Sequence, residues 1–492
     1  MTDPRAAAEA LAGEDDVVGA FARRHFGNLA ALGDECGALA DRIRAWMVEH
    51  DVVFAGHAIP FVMAPHCLDA PTMSRVQHTV EVLTRVLDRF CSAYRTDELL
   101  RRALDLPPAE SDLVRIEPTL DDPLQLCRLD AFLLDDGTVQ FLEFNAESPA
   151  GIGYTDVMFD GLYRHFDALH DPASGLQVSY ERITEHLIET VRDVERRWRT
   201  WTTGPDGPGR ALGIPAQESR PHVLLVDTKG SPSVPEFGII CRKLEEAGFD
   251  ADWSSLDDLS RIDGRLCANG RPVDVVYRRA LVEDVLDPFA SPGAAAMSAA
   301  VREGSVGMLN PFPARVANNK KMLALLGAPE FAHLLHDDEE RRVVRESIPW
   351  TRVLATGGTS LPDGTAGDLP AFVSANREQL VLKPASDYGG HNVHLGLATA
   401  QHDWDALVFA HAGTSDWIVQ QYLDVPVGRF PAIDDEGRLV VREAHFNINP
   451  FAIGGRYAGM ITRISNEPVI NVSAGGGLLP CVSVVRAPVS GD

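Results

Sequence analysis

The chain has 492 residues, 45% of them hydrophobic, a globular composition too long for one ordinary core; at about 150 residues per domain it divides into three or so packed units. With 45 basic against 71 acidic residues the formal net charge is −26, which repels nucleic acid and anionic membranes, so a polyanionic substrate needs a local basic pocket and metal ions. Seven scattered cysteines without a CxxC or CxxH pair exclude a zinc site or disulfide scaffold and point to reduced thiols in a cytoplasmic protein. The acidic start lacks the apolar core of a signal peptide, and no uncharged apolar run approaches a membrane span.

Residues 1–110 carry helical periodicity, with Val76, Val80, Leu83 and Leu87 on one stripe, and are expected to form a helical scaffold. The next segment, 111–205, holds the most informative stretch. Two runs rich in Leu, Phe and Val flank Asp136-Gly137, a signal for a two-residue type I′ hairpin turn. If Asp135 pairs with Thr138, Asp130 falls opposite Glu143 and Arg128 opposite Asn145, and all four share one face. The flanking pairs on that face, Phe132 with Phe141 and Leu134 with Val139, are apolar.

Opposed side chains of an antiparallel pair have Cβ atoms roughly 4.5–5.5 Å apart, so two carboxylates there need a cation. A hard divalent ion such as Mg2+ accepts carboxylate, amide and phosphate oxygens, making Asp130, Glu143 and Asn145 candidate metal ligands with Arg128 alongside. A loop one residue longer would split the two acids between faces.

After the loop Ser148-Pro149-Ala150-Gly151-Ile152-Gly153, a long charged helix is expected around Tyr180 to Trp201, and a Gly/Pro-rich connector at 203–209 marks a boundary. From about 206 to 310, Val223–Asp227 reads as a buried parallel strand, Phe237–Ala247 as a helix and Val273–Tyr277 as another strand, an α/β alternation. Within 311–492, Asn318-Asn319-Lys320-Lys321 opens a helix, and lysines there oppose its dipole, so they either meet an anion or are solvated surface charge.

Val381-Leu382-Lys383-Pro384 ends an apolar strand in a lysine, followed by a loop carrying Asp387, Gly389 and Gly390, whose backbone could approach phosphate oxygens closely. No Walker A pattern occurs, and the lysine with paired glycines reads equally as an ordinary hairpin. Trp417-Ile418-Val419-Gln420-Gln421 is a strand entering a connector, where backbone groups could meet an adenine edge. Arg463 lies within an apolar strand and needs an anionic partner: a carboxylate of the protein, a phosphate or a substrate carboxylate. Gly475-Gly476-Gly477 permits close approach to a ligand or forms a wide turn.

Taken in order, these blocks resemble a circularly permuted ATP-grasp protein, similar to the synthetase domain of glutathionylspermidine synthases and to ATP-grasp amide ligases of natural-product pathways. In an unpermuted chain the lysine strands precede the metal acids; here the acids come first. The resemblance covers about residue 110 onward and implies an α/β (α+β) fold with an N-terminal helical region and a pre-ATP-grasp-like domain. It implies Mg2+ on Asp130, Glu143 and Asn145, with Arg128 stabilising the transferring phosphoryl group. Lys320 and Lys383 would clamp the phosphates of ATP under the 387–392 loop, and Gln420 and Gln421 would lie beside the adenine.

The implied reaction is acyl-phosphate formation from a carboxylate, then attack by an amine to give an amide, ADP and phosphate. Glu147, Ser148 and Arg463 are candidates for contact with these small-molecule substrates, an amino acid or short peptide among them. A Cys–His amidase signature is absent, so the glutathione and polyamine pair is not implied. The alternatives are a kinase on the same scaffold and a non-catalytic nucleotide-binding protein; a homo-oligomer is compatible with each.

Overall fold

The computed structural model describes residues 16–116, 120–170, 175–287, 292–386, 392–470 and 476–487. The architecture is mixed α/β, and among the described residues three sheets frame the site. The largest, eight-stranded, places His66–Asp69, Gly477–Arg486, Arg456–Ser465, Leu439–Ile453, Leu126–Leu133 and Val139–Asn145 side by side, with Val427–Ile433 and Leu176–Ser179 as additional partners. One face of this sheet rests on the helix Ala70–Ala93. That helix opens at Asp69, whose carboxylate accepts from the Thr72 backbone N–H at 2.7 Å, and Pro71 sits in the first turn, where its missing N–H is harmless.

The expected stripe Val76, Val80, Leu83 and Leu87 is fully buried and packs in one cluster with Leu129, Ala131, Phe141 and Phe144 of the acid hairpin. Residues before 110 are not helical throughout. His66–Asp69 runs parallel to Gly477–Arg486 within the main sheet, and Val53–Phe54 pairs with His57–Ala58 in a small hairpin.

The second sheet is parallel, ordered Gly307–Leu309, Val275–Arg278, His222–Asp227, Asp250–Ser255, with the helix Val234–Glu246 as one crossover. The chain leaves His222–Asp227 for a neighbour on one side and returns as Val275–Arg278 on the other. The strand order therefore reverses between the carboxyl ends at Asp227 and Arg278, the kind of crevice in which open α/β sheets bind ligands. The third sheet is antiparallel, ordered Thr351–Val353, Trp417–Gln421, Leu380–Pro384, His394–Leu395, and has its own core of Leu354, Leu369, Val373, Leu382, Trp404 and Val408.

The seven cysteines are free, six buried and Cys67 partly so. Among the described residues no helix is long and apolar enough to cross a membrane.

Candidate active site

The hairpin of Leu126–Leu133 and Val139–Asn145 pairs Asp130 with Glu143 and Arg128 with Asn145, as expected, but by another route. The turn is one residue longer than a type I′ loop: Leu134 N–H donates to Thr138 O at 2.9 Å, Gly137 N–H donates to Leu134 O at 2.8 Å, and Gly137 carries φ 77°. An uninterrupted ladder from this turn would set Leu142 opposite Asp130 and send Glu143 to the core face. A β-bulge prevents this, because Asp130 pairs with Glu143 while Ala131 already pairs with Phe141, leaving Leu142 without a partner. Leu142 and Glu143 consequently both face the cavity. The expected apolar pair of Phe132 with Phe141 is not formed: Phe132 pairs with Gln140, and Phe141 points into the core.

A cavity of about 610 Å3 lies where the three sheets meet. Arg128, Asp130, Glu143, Asn145, Lys320, Lys383, Gln420, Gln421 and Arg463 all line it. Arg463, in Arg456–Ser465, finds its anionic partner in Asp130: its Nη1 lies 2.9 Å from Asp130 Oδ2. Arg128 grips the same carboxylate through Nε at 2.8 Å and Nη2 at 3.2 Å, and donates Nη1 to Ala150 O at 2.8 Å. Burial and the adjacent Arg128 lower the Arg463 guanidinium, against the pull of Asp130 and Glu143.

Both Asp130 oxygens thus accept from guanidiniums, so Asp130, besides its expected place among the metal ligands, anchors two arginines. Glu143 remains the accessible carboxylate, 28% exposed, with Lys320 Nζ at 3.4 Å and Asn145 Nδ2 donating to its Oε1 at 3.3 Å. Burial alone would raise the Glu143 carboxyl, but Lys320, Lys383, Arg128 and Arg463 hold it down to about 2.

Among the described residues no three His, Cys, Asp or Glu side chains gather as a metal site. One carboxylate with one amide oxygen nevertheless suits Mg2+, which takes its remaining ligands from phosphate and water. Glu143 and Asn145 fit that requirement.

Lys320 does not open a long helix. It lies between two one-turn helices, Arg315–Asn318 and Met322–Leu325, and its backbone N–H donates to Ala385 O at 2.9 Å, tying it to the lysine strand. Lys321 points away and donates to Leu104 O at 2.6 Å. Lys383 donates to Gln420 Oε1 at 2.6 Å and to Leu142 O, the carbonyl at the bulge, at 3.3 Å. Gln420 Nε2 in turn donates to Thr351 Oγ1 at 3.0 Å, so its side chain is spent on holding Lys383. Gln421 is exposed at the cavity edge. Burial lowers the Lys383 ammonium to about 8, opposed by Glu143 and reinforced by Lys320. Asp387, Gly389 and Gly390 lie outside the described residues, as does Gly475. Gly477 packs on the Pro60 backbone, where a Cβ would come within 2.9 Å of Pro60 O.

Glu147 is fully buried and bridges Arg278 at 2.9 Å and Arg315 at 3.0 Å, so it serves the frame and not a substrate. Ser148 does reach the cavity. Its loop is clamped by Arg128 on Ala150 O and Arg279 on Pro149 O, and Glu236 accepts from Gly151 N–H at 2.7 Å and Gly153 N–H at 3.1 Å. Gly151 takes φ 107° at this corner, where a Cβ would strike Ile461.

Arg279, Asp227, Thr228, Ser231 and Ser233 line the cavity from the crevice of the parallel sheet, and sequence reasoning passed over them. The arginines closing Val-Val-Tyr-Arg-Arg were the available signal, since residues just past the carboxyl end of a parallel strand face that crevice. Arg279 is 2% exposed, and its Nε has no hydrogen-bond partner among the described residues. Phe54 and Ile59, beside the N-terminal hairpin, also line the cavity.

No family model matches the chain, and no curated protein matches it in sequence. Among solved structures, a glutathione synthetase-like effector (GSS30) from Globodera pallida in its apo form is similar with a TM-score of 0.56 at 12% identity, over 90% of this chain and 96% of that one. A putative gamma-glutamylcysteine synthetase from Methylobacillus flagellatus gives a TM-score of 0.41 at 10% identity over 86% and 90% of the two chains. A D-alanyl-alanine synthetase A from Vibrio cholerae gives 0.24 at 12% identity over 46% and 68%. Only the first likeness is close enough to carry an argument, and at that identity the argument concerns the fold: this chain shares the overall fold of a glutathione synthetase-like protein.

Proposed function

We propose that this chain is an ATP-dependent carboxylate–amine ligase with a circularly permuted ATP-grasp arrangement, forming an amide through an acyl phosphate and releasing ADP and phosphate. The observation that carries the reading is the convergence of Arg128, Arg463, Lys320 and Lys383 on two carboxylates, Asp130 and Glu143, in one cavity. Four cations against two anions leave a positive excess in a protein whose net charge is −26. Such a local excess is what a polyphosphate requires, since phosphoryl transfer asks the protein for positioning and charge stabilisation more than covalent chemistry.

In this reading Lys320 and Lys383 bind the phosphates of ATP, with Gln420 orienting Lys383. Glu143 and Asn145, with Asp130 beside them, would hold Mg2+, which when bound would neutralise charge on the phosphates. Arg128 and Arg463, fixed in orientation by Asp130, stabilise the oxygens of the group being transferred. The apolar walls near Val381, Leu395 and Leu423, with Gln421 at their edge, receive the adenine. The crevice at Arg279, Ser231, Ser233 and Asp227 receives the small-molecule substrates, an amino acid or short peptide fitting its mix of one cation with several polar groups. That the seven cysteines are free of disulfides supports a cytoplasmic setting in this reading. The fold likeness to a glutathione synthetase-like protein supports a ligase over other uses of the cavity.

The test is a screen of amino acids and short peptides for ATP-dependent phosphate release. A ligase liberates ADP and phosphate when carboxylate and amine are both present, and hydroxylamine traps its acyl phosphate as a hydroxamate. A stable phosphoester, or no turnover with any pair, would reject the reading.

A further inference from the structure

Two asparagines of the main sheet, Asn447 and Asn449, have no part in the assignments above. They lie two apart on Leu439–Ile453, so they share one face, and Asn447 pairs with Arg463 across to Arg456–Ser465. Asn447 is 5% exposed and lines the cavity; Asn449, behind it, is fully buried. The Nδ2 of Asn449 donates to Asn447 O at 3.3 Å, Asn447 Oδ1 at 3.1 Å and Ile461 O at 3.4 Å. Two of these three acceptors are backbone carbonyls, so only the nitrogen end of the Asn449 amide suits that position. The Asn447 atom facing it is then the oxygen, and its NH2 is turned the other way. Among the described residues nothing accepts from Asn447 Nδ2, and Asn449 Oδ1 is buried without a partner. An arrangement that leaves a buried amide oxygen unsatisfied to fix one orientation of its neighbour is expensive unless that orientation is used.

We propose that Asn447 binds an oxyanion of the acyl substrate: the free carboxylate first, then the oxygen of the acyl group as it is phosphorylated and attacked. Asn449 is the positioning residue that makes Asn447 present N–H groups and not a carbonyl. This inference rests on the ligase reading and deepens it, because a donor beside the Arg463 strand position recognises a carboxylate, whereas the neutral hydroxyl acceptor of a kinase has no need of one. Donors fixed in a largely dry site need not reorganise as charge develops on the oxygen they face.

The test has a binding arm and a kinetic arm. In the first, sulfate is titrated into wild-type protein already saturated with Mg2+ and a non-hydrolysable ATP analogue, so that the phosphate clamp is filled. Asn447→Asp removes the donor, and Asn449→Asp puts an acceptor where the donor stood, which turns the intact Asn447 amide around and aims its oxygen at the cavity. Each is expected to weaken sulfate binding by about tenfold or more, the loss of one charge-assisted hydrogen bond, with analogue affinity changed by less than about twofold. Asn449→Leu, which loosens Asn447 without introducing a charge, is expected to fall between, and melting curves establish that each variant is folded. Equal sulfate affinity in wild type, Asn447→Asp and Asn449→Leu, or no sulfate bound beside the analogue in wild type, would overturn the proposal. In the kinetic arm the same variants should raise KM for the carboxylate that best supports hydroxamate formation and leave KM for ATP unchanged. Failure of wild type to form any hydroxamate, with sulfate binding still lost in the variants, would reject the ligase reading and retain the anion site.

Discussion

Replacing Glu143 with Gln separates its two roles, as a counter-charge in the free protein and as the proposed metal ligand. The surrounding cations hold the carboxyl from an ordinary 4.5 down to about 2, which at about 1.4 kcal/mol per pH unit corresponds to about 3 kcal/mol. With 28% of the side chain exposed, solvent screening reduces this to about 2 kcal/mol. A folded pKa below the unfolded one means the contribution is complete above pH 4.5 and is lost as pH falls toward 2.

Glu143→Gln should therefore be less stable than wild type by about 2 kcal/mol at pH 7 in ligand-free denaturant unfolding, with the gap closing between about pH 5 and pH 2. The variant also leaves four cations facing Asp130 alone, so it should bind metal-free ATP at least as tightly as wild type. Its MgATP turnover should be lost. Calorimetric titrations with and without Mg2+, alongside phosphate release, read these effects separately. Wild-type turnover in Glu143→Gln would refute the metal assignment, and unchanged stability would refute the charge argument.

ATP affinity should be level below pH 8 and fall by about tenfold for each unit above it, because the free Lys383 ammonium titrates near 8 and phosphate requires the protonated form; Lys383→Ala should bind weakly and show no such break. Gln420→Ala, which frees Lys383 from its 2.6 Å acceptor, should weaken ATP by about tenfold in the same titration without altering the melting profile of the main sheet. Deleting Leu142 should preserve the Asp130–Glu143 pairing, since the ladder then runs without its bulge, yet remove the carbonyl that accepts from Lys383; a nucleotide affinity equal to wild type would contradict this. Arg279→Ala should raise KM for one small-molecule substrate while KM for ATP stays constant, and the reverse pattern would move Arg279 out of the substrate crevice.

Local signals were legible and long-range ones were not. The periodic stripe from Val76 to Leu87 and the apolar runs at 223–227, 380–384 and 417–421 each became the element their pattern implies, because burial on one or both faces dictates period and length. The pairing of Asp130 with Glu143 was correct through two compensating features: a longer turn, which Gly137 in the left-handed region suits as well as the two-residue loop, and a bulge that leaves no residue-level mark in this chain. The role of Asp130 depended on Arg463, which arrives from 333 residues away. The role of Gln420 depended on a lysine from a neighbouring strand. A side chain's partner across strands follows from topology, which periodicity does not encode.

The bulge at Leu142 also acts as a strut. Its carbonyl ties the eight-stranded sheet to the sheet of the lysine strand through Lys383, one residue from Glu143. Any swing of the small sheet away from the large one must lengthen that tie before it opens the cleft between them. Widening of the entrance and displacement of the carboxylate are in this way mechanically joined, and a single supernumerary residue in one strand is the joint.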